Sequence, residues 1–176
     1  KRGEASWASL PAAEQEEMEQ AVAMLTEAAA QGHVGAQYNL GGVYDQGHGV
    51  PRDVDRAIEL SRQAGQQGHA WAHHNLGILL HHERHDVDGA IEAYRAAIGA
   101  DPGHASAHNN VACLLKNERQ DVDGAEKAYR AAIEADPGYA DALCNLGTLL
   151  EEHRQDFDGA AKAYRQAIAR SGGIPI

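Results

Sequence analysis

Apolar side chains return every three to four positions over long stretches of this chain. Ala107, Val111, Leu114 and Leu115 mark one such stretch, and Ala125, Ala128, Tyr129, Ala132 and Ile133 mark the next. That spacing puts each set on one face of an α-helix. It predicts a helix over Ala105 to Asn117 and a second over Val122 to Ala135. Polar signals separate the pairs: Asp101-Pro102-Gly103 and Asp136-Pro137-Gly138 follow the second helix of a pair. Proline there cannot continue a helix and biases the residue before it away from the α region. Asp86, Asp121 and Asp156 stand where second helices begin, and each suits an N-cap, with a further Asp in the first turn at the positive end of the helix dipole. No β-branched runs alternate with these helices, which excludes a parallel-sheet reading.

The pattern repeats. Asn-Leu-Gly stands at Asn39-Leu40-Gly41, Asn75-Leu76-Gly77 and Asn145-Leu146-Gly147, with the variant Asn110-Val111-Ala112 between the last two. The successive spacings are 36, 35 and 35 residues. Asp-Val-Asp follows in each copy, at Asp53, Asp86 and Asp121, and becomes Asp156-Phe157-Asp158 in the last. Gly-Ala and then Ala-Tyr-Arg recur at Gly89 to Arg95, Gly124 to Arg130 and Gly159 to Arg165. A helix pair of this size cannot bury its apolar face alone, so copies must stack and share a core.

The residues carry a family resemblance. Gly77, Ala90, Tyr94, Ala97 and Pro102 follow the pattern of a small residue in the first helix, Ala and an aromatic in the second, another Ala and then Pro. Residues 70–170 therefore resemble tetratricopeptide repeats (TPRs), one residue longer than the usual period, with the extra residue in the turn between the two helices. Ala28-Ala29-Ala30-Gln31-Gly32-His33, Ala36 to Gly41, Tyr44 and the longer turn Gly47-His48-Gly49-Val50 resemble the Sel1-like variant. The resemblance implies an all-α fold, a right-handed α-solenoid of stacked antiparallel helix pairs. The expected organisation is a lead segment over 1–15, a preceding or capping helix over 16–33, a Sel1-like repeat over 34–69, TPRs over 70–104, 105–139 and 140–170, and a tail over 171–176. Ser9-Leu10-Pro11 ahead of Glu14, Glu16 and Glu17 reads as a helix start. No polar capping helix is evident after residue 170, so a partner or a continuation of the chain is expected against that end, with a tail that folds back as the alternative. The chain begins at Lys1, which suits a processed protein or a piece of a longer one.

Composition narrows the function. The 176 residues carry 15 Lys+Arg against 26 Asp+Glu, a formal net charge of −11. So acidic a chain repels phosphate backbones, and nucleic acid is not an expected partner. No apolar run approaches the ~20 residues of a membrane span, so no membrane insertion is expected. Two cysteines make no disulfide framework, and a reducing cytoplasm is the default location, with an organelle interior as the alternative. No phosphate-cradling loop, dinucleotide fingerprint or nucleophile elbow occurs, so no catalytic residue and no cofactor is expected. The 11 histidines stand out. His81 and His85, His69 and His73, and His104 and His108 are each one helical turn apart, a spacing that can share a metal. No thiolate cluster completes a structural site, so no metal is assigned; a helix C-terminus that favours cations explains His81, His82 and His85 equally well.

The expected site is a groove lined by first helices, as the TPR resemblance implies. Its candidate residues are Tyr38 and Asn39; Trp71, His74, Asn75, Ile78 and His81; Asn109, Asn110, Cys113, Lys116 and Asn117; and Asp141, Asn145, Thr148 and Glu151. The ladder Asn39, Asn75, Asn110 and Asn145 offers one amide per repeat, able to donate to and accept from a peptide backbone. The alternative is that these amides bond only within the repeat. Trp71 is either an anchor for a partner or packed between repeats. The expected function is a non-catalytic protein-interaction scaffold that takes a peptide or partner subunit. The alternatives are a structural subunit of a larger assembly, docked through its C-terminal end, the docking or regulatory segment of an enzyme, and a histidine-based metal or pH sensor.

Overall fold

The computed structural model describes residues 11–170. Ser9, Leu10 and the 171–176 tail therefore lie outside the described residues. Within them the fold is all-α, as expected, and contains no strand. The helices are α1 (Ala12–Ala30), α2 (Val34–Gln46), α3 (Val54–Gln66), α4 (Ala70–Arg84), α5 (Val87–Ala100), α6 (Ala105–Glu118), α7 (Val122–Ala135), α8 (Ala140–Leu149) and α9 (Phe157–Arg170). A π-helical turn, Leu150–Arg154, prolongs α8. In repeat terms α2, α4, α6 and α8 are first helices, and α3, α5, α7 and α9 are second helices. The chain divides into two compact units, Lys1–Asp86 and Val87–Ile176.

In the first unit the core is small and aliphatic. Ala57, Ala64 and Ala72 are fully buried, and Leu40, Leu76 and Leu79 nearly so. Gly65 lets α3 and α4 approach closely: a Cβ there would sit 2.7 Å from the His73 ring. The turn from α2 to α3 is long and depends on glycine. Gly47 and Gly49 adopt φ of 71° and 76°, in the left-handed region that glycine enters at least cost. Gly49 lies against α1, where a Cβ would meet Met18 at 2.6 Å. Asp53 then caps α3, accepting from the Arg56 N–H at 3.0 Å.

The second unit packs around Tyr129, with Ala112, Ala125, Leu146, Leu149, Leu150 and Ala160. Tyr129, Leu143 and Leu149 are its most completely buried large side chains. The expected N-caps at Asp121 and Asp156 are present: each carboxylate accepts from an N–H three residues on, Gly124 and Gly159, at 2.9 Å. Those glycines leave room for the cap, because a Cβ on either would lie 2.3 Å from the carboxylate. Asp101 and Asp136 close the turns between repeats by accepting from Gly103 and Gly138.

First helices α4, α6 and α8 all end in a widened turn. The N–H groups of His85, Arg119 and Gln155 reach carbonyls five residues back. Those of Asp86, Asp121 and Asp156 reach Leu80, Leu115 and Leu150, six residues back, at 2.9, 2.9 and 3.0 Å. An ordinary α-helical bond spans four residues. The extra residue of the 35-residue period is taken up here, and His85, Gln120 and Gln155 turn the chain at φ 54°.

Candidate functional site

The first helices carry the candidate groove residues, and each unit must be considered separately. In the first unit, Tyr38 is half-buried and stacks on the His69 ring at 4.6 Å. Trp71 is 50% exposed and meets His74 edge-on at 5.5 Å. Asn75 and Ile78 of α4 line a cleft of about 140 Å³ together with Gly42 and Asp45 of α2. Asn39 is exposed and lines a different, apolar cleft between α1 and α2. His81 packs against His82 at 4.6 Å.

In the second unit the polar residues bond to one another. Asn145 donates to Asn109 at 3.0 Å and approaches the Cys113 sulfur at 3.7 Å. Asn110 is hydrogen-bonded to the Tyr94 hydroxyl, whose pKa burial pushes up to about 12. Tyr129 donates to Cys113 at 3.4 Å; its own pKa is raised, chiefly by burial. Lys116 pairs with Glu152 at 3.4 Å, and Thr148 and Glu151 both bond the Tyr164 hydroxyl. Asn117 and Asp141 are exposed. Cys113 and Cys144 are free thiols, the first half-buried and the second exposed.

Two candidates differ from the expectation of an open groove. His74 and Asn109 are only 7% and 6% exposed. Both face into the stack, where Asn109 serves as the acceptor for Asn145. A partner resting on the first helices would meet the residues around them.

The histidine pairs find structural roles. His33, His69 and His104 occupy the N-cap positions of α2, α4 and α6, and each Nδ1 accepts a backbone N–H three residues on, at 3.4, 3.2 and 3.4 Å. Such a cap requires a neutral ring with a free lone pair. Burial holds the pKa of His104 below the ordinary value of 6.5, outweighing the upward pull of Asp101. Burial also depresses His73, against a backbone hydrogen bond to Gly65. His108 contacts the Pro102 carbonyl at 3.1 Å. Among the described residues no group of three or more His, Cys, Asp or Glu side chains is placed to hold a metal ion. Among them, too, no helix is long and apolar enough to cross a membrane.

Sequence reasoning missed the clamps between successive second and first helices. Arg84 pairs with Asp55, Arg119 with Asp88 and Arg154 with Asp123. Arg154 also bonds Glu126 at 3.1 Å, and its bonds to Asp123 first and Glu126 second raise its pKa. The signal was present, since Arg84, Arg119 and Arg154 recur at the repeat spacing of 35.

Comparisons with known proteins agree with this architecture. A crystal structure of MamA superposes with a TM-score of 0.70 at 21% identity, covering 89% of this chain and 90% of that one. A Sel1 repeat protein from Oxalobacter formigenes reaches a TM-score of 0.75 at 25% identity, covering 89% of this chain and 66% of its own. YrrB, described as a TPR protein with an unusual peptide-binding site, gives 0.63 at 23% identity, covering 90% and 80%. No curated protein matches the chain. A Sel1 repeat model matches residues 13–33 and 34–69, and a tetratricopeptide repeat model matches 78–115 and 116–174. The latter spans more than half of the 176 residues, and the chain belongs to the tetratricopeptide repeat family, with Sel1 repeats at its N-terminal end.

Proposed function

We propose that this chain is a non-catalytic scaffold that holds an extended peptide segment of a partner protein against its first helices. TPR and Sel1 folds are typical of protein-interaction modules, which sets the class. The observation that carries the finer reading is the cleft between α2 and α4, lined by Asn75, Asp45 and Ile78, with half-exposed Trp71 one helical turn before Asn75 on α4. An amide there supplies a donor and an acceptor to a peptide backbone, and an aromatic side chain supplies a contact of large area at small entropic cost. Asn110 and Asn145 have internal partners, so in the second unit the amide ladder serves packing at least as much as binding. There the available surface is Lys116, Asn117, Thr148, Asp141 and Glu151. Its balance is acidic, and a neutral or basic segment suits it. The repeat boundaries 34–69, 70–104, 105–139 and 140–170 are part of this proposal, as is a cytoplasmic location, which suits the two free thiols.

The test is affinity capture with the intact chain beside Trp71→Ala/Asn75→Ala and, separately, Asn117→Ala/Thr148→Ala. Circular dichroism verifies that helix content is unchanged. A partner lost from the first variant puts binding in the α2–α4 cleft. A partner kept by both removes the first helices as the binding face.

A further inference from the structure

The two terminal helices are complementary to each other. α1 carries Glu14, Glu16, Glu17, Glu19 and Glu27, and residues 11–33 contain no Lys or Arg. α9 carries Lys162, Arg165 and Arg170 against Asp158 alone, a basic helix on a chain of net charge −11. Each also exposes apolar surface beside its charges. On α1, Met24 is 72% exposed, and with Ala21, Leu25 and Ala28 it forms one wall of a cleft of about 470 Å³ whose other wall is Ala36 and Asn39 of α2. Glu14 and Glu17 precede Ala21, Met24 and Ala28 at helical spacing, so acid and apolar positions share one face. On α9, Phe157 is 65% and Ile168 44% exposed. Phe157, Ala161, Arg165 and Ile168 follow i, i+4, i+8 and i+11, which makes one stripe with Lys162 at its edge.

We propose that α9 of one copy docks in the α1–α2 cleft of a second copy, joining chains head to tail. A helix whose apolar residues recur one turn apart fits a groove between two helices. In the first unit each helix packs on its sequence neighbours, α1 on α2, α2 on α3 and α3 on α4, and the groove in question is the one on the face that α1 and α2 share. At α1 and α2 it is open among the described residues. Charge selects the occupant. The cleft itself is lined by neutral side chains, and Glu14 and Glu17, two turns and one turn before Ala21 on the same face of α1, give it an acidic rim. That rim disfavours acidic helices and favours a basic one, and this chain carries such a helix on its other unit. The interface is heterologous, so each added copy presents a fresh cleft and a fresh α9, and assembly proceeds to a ring or an open chain of copies. This surface is separate from the proposed α2–α4 cleft, and neither reading depends on the other.

The test is sedimentation velocity on the full chain over a wide concentration range, at low and high salt. The expected result is an average mass that rises with concentration and falls as salt screens the charged rim. Lys162→Glu/Arg165→Glu and Glu14→Lys/Glu17→Lys are each expected to stay monomeric alone, with helix content unchanged by circular dichroism. Mixed together they regain association, because the acidic α9 of one now meets the basic α1 of the other, while the remaining ends match as before. Met24→Ser, which removes apolar contact and adds no charge, is expected to weaken association in its own right. A wild-type chain monomeric at every concentration overturns the proposal. So does self-association that both charge reversals leave unchanged, and so does a mixture that stays monomeric.

Discussion

The two units build the same repeat with different small parts, and one shared position shows how. Gly41 and Gly147 both close the Asn-Leu-Gly mark of a first helix. In the first unit a Cβ on Gly41 would rest in ordinary contact with Ser61 Oγ at 3.4 Å. In the second a Cβ on Gly147 would stand 2.6 Å from the Tyr164 ring. Of these two positions, only Gly147 faces an aromatic ring too near for a Cβ; at the equivalent Ala112 the chain carries a methyl in the Tyr129 cluster, so the exact approach of the ring decides. The turns that follow differ in the same sense. The first unit leaves α2 through a long loop with two left-handed glycines, whereas the second leaves α6 through Arg119 and Gln120 into an Asp cap. A repeat consensus records the backbone path, and the side chain across the interface decides which of its residues are indispensable.

The most severe way to break the comparison is to empty the second unit's core. Tyr129 of α7 is 2% exposed and shares its cluster with residues of α6, α8 and α9. Tyr129→Ala is expected to cost about 3–5 kcal/mol, as aromatic truncations in cores do. Hydrogen exchange followed residue by residue gives the readout: amides of α6 to α9 should lose protection first, and those of α2 to α4 should keep theirs. Equal loss throughout would mean that the two units unfold as one.

The glycine pair gives the next largest effect. Gly147→Ala should destabilise by about 1–3 kcal/mol, the range for overpacking a tight contact. Gly41→Ala should be neutral or stabilise by up to about 1 kcal/mol, since alanine is the better helix former and the space is there. Denaturant midpoints of the two variants decide the matter. Similar losses at both would show that the approach of Ser61 to Gly41 is as tight as that of Tyr164 to Gly147.

Acid should weaken both units through different histidines. His73 in the first and His104 in the second are held below the ordinary pKa of 6.5 by burial. Between the depressed folded value and 6.5 the unfolded chain binds more protons, so stability rises with pH across that window. Stability is complete above 6.5 and falls as pH drops below it. His104→Asn keeps a capping acceptor and removes the titrating group. It should flatten the acid slope for the second unit's amides, whereas His104→Ala should cost about 1 kcal/mol at neutral pH through loss of the cap. An acid slope unchanged by His104→Asn would locate the titration elsewhere.

Much of this architecture is legible in the sequence. Helical spacing fixed α6 and α7, and the Asp-Pro-Gly and Asp-Val-Asp marks located their ends, because such signals act locally on the backbone. The site was less legible. Sequence placed Asn109 and His74 on an open face, but helix-to-helix packing turned both inward, and only the neighbouring helix specifies that. The histidines attracted attention as one-turn pairs suited to metal. Their more telling regularity is that His33, His69 and His104 recur 36 and 35 residues apart, in step with the repeat. A residue in step with the backbone period serves the backbone, and here it caps a helix. Histidine is not among the favoured N-caps, so propensity alone did not suggest it.

The smallest expected effect tests the widened turns that set the 35-residue period. His85, Gln120 and Gln155 share φ 54°, a conformation that costs an L-residue roughly 1–2 kcal/mol and glycine very little. Glycine gives part of that back through the greater freedom of its unfolded chain. Gln120→Gly should therefore stabilise the second unit by a net amount under about 1 kcal/mol, and His85→Gly should do the same for the first. Thermal melts of the two variants, read beside Gln120→Ala as a control that keeps the Cβ, provide the check. An equal gain at both positions would mean that the turn is one device used in both units despite their different cores. A gain at Gln120 alone would mean that His85 supplies a contact in the first unit that glutamine does not supply in the second.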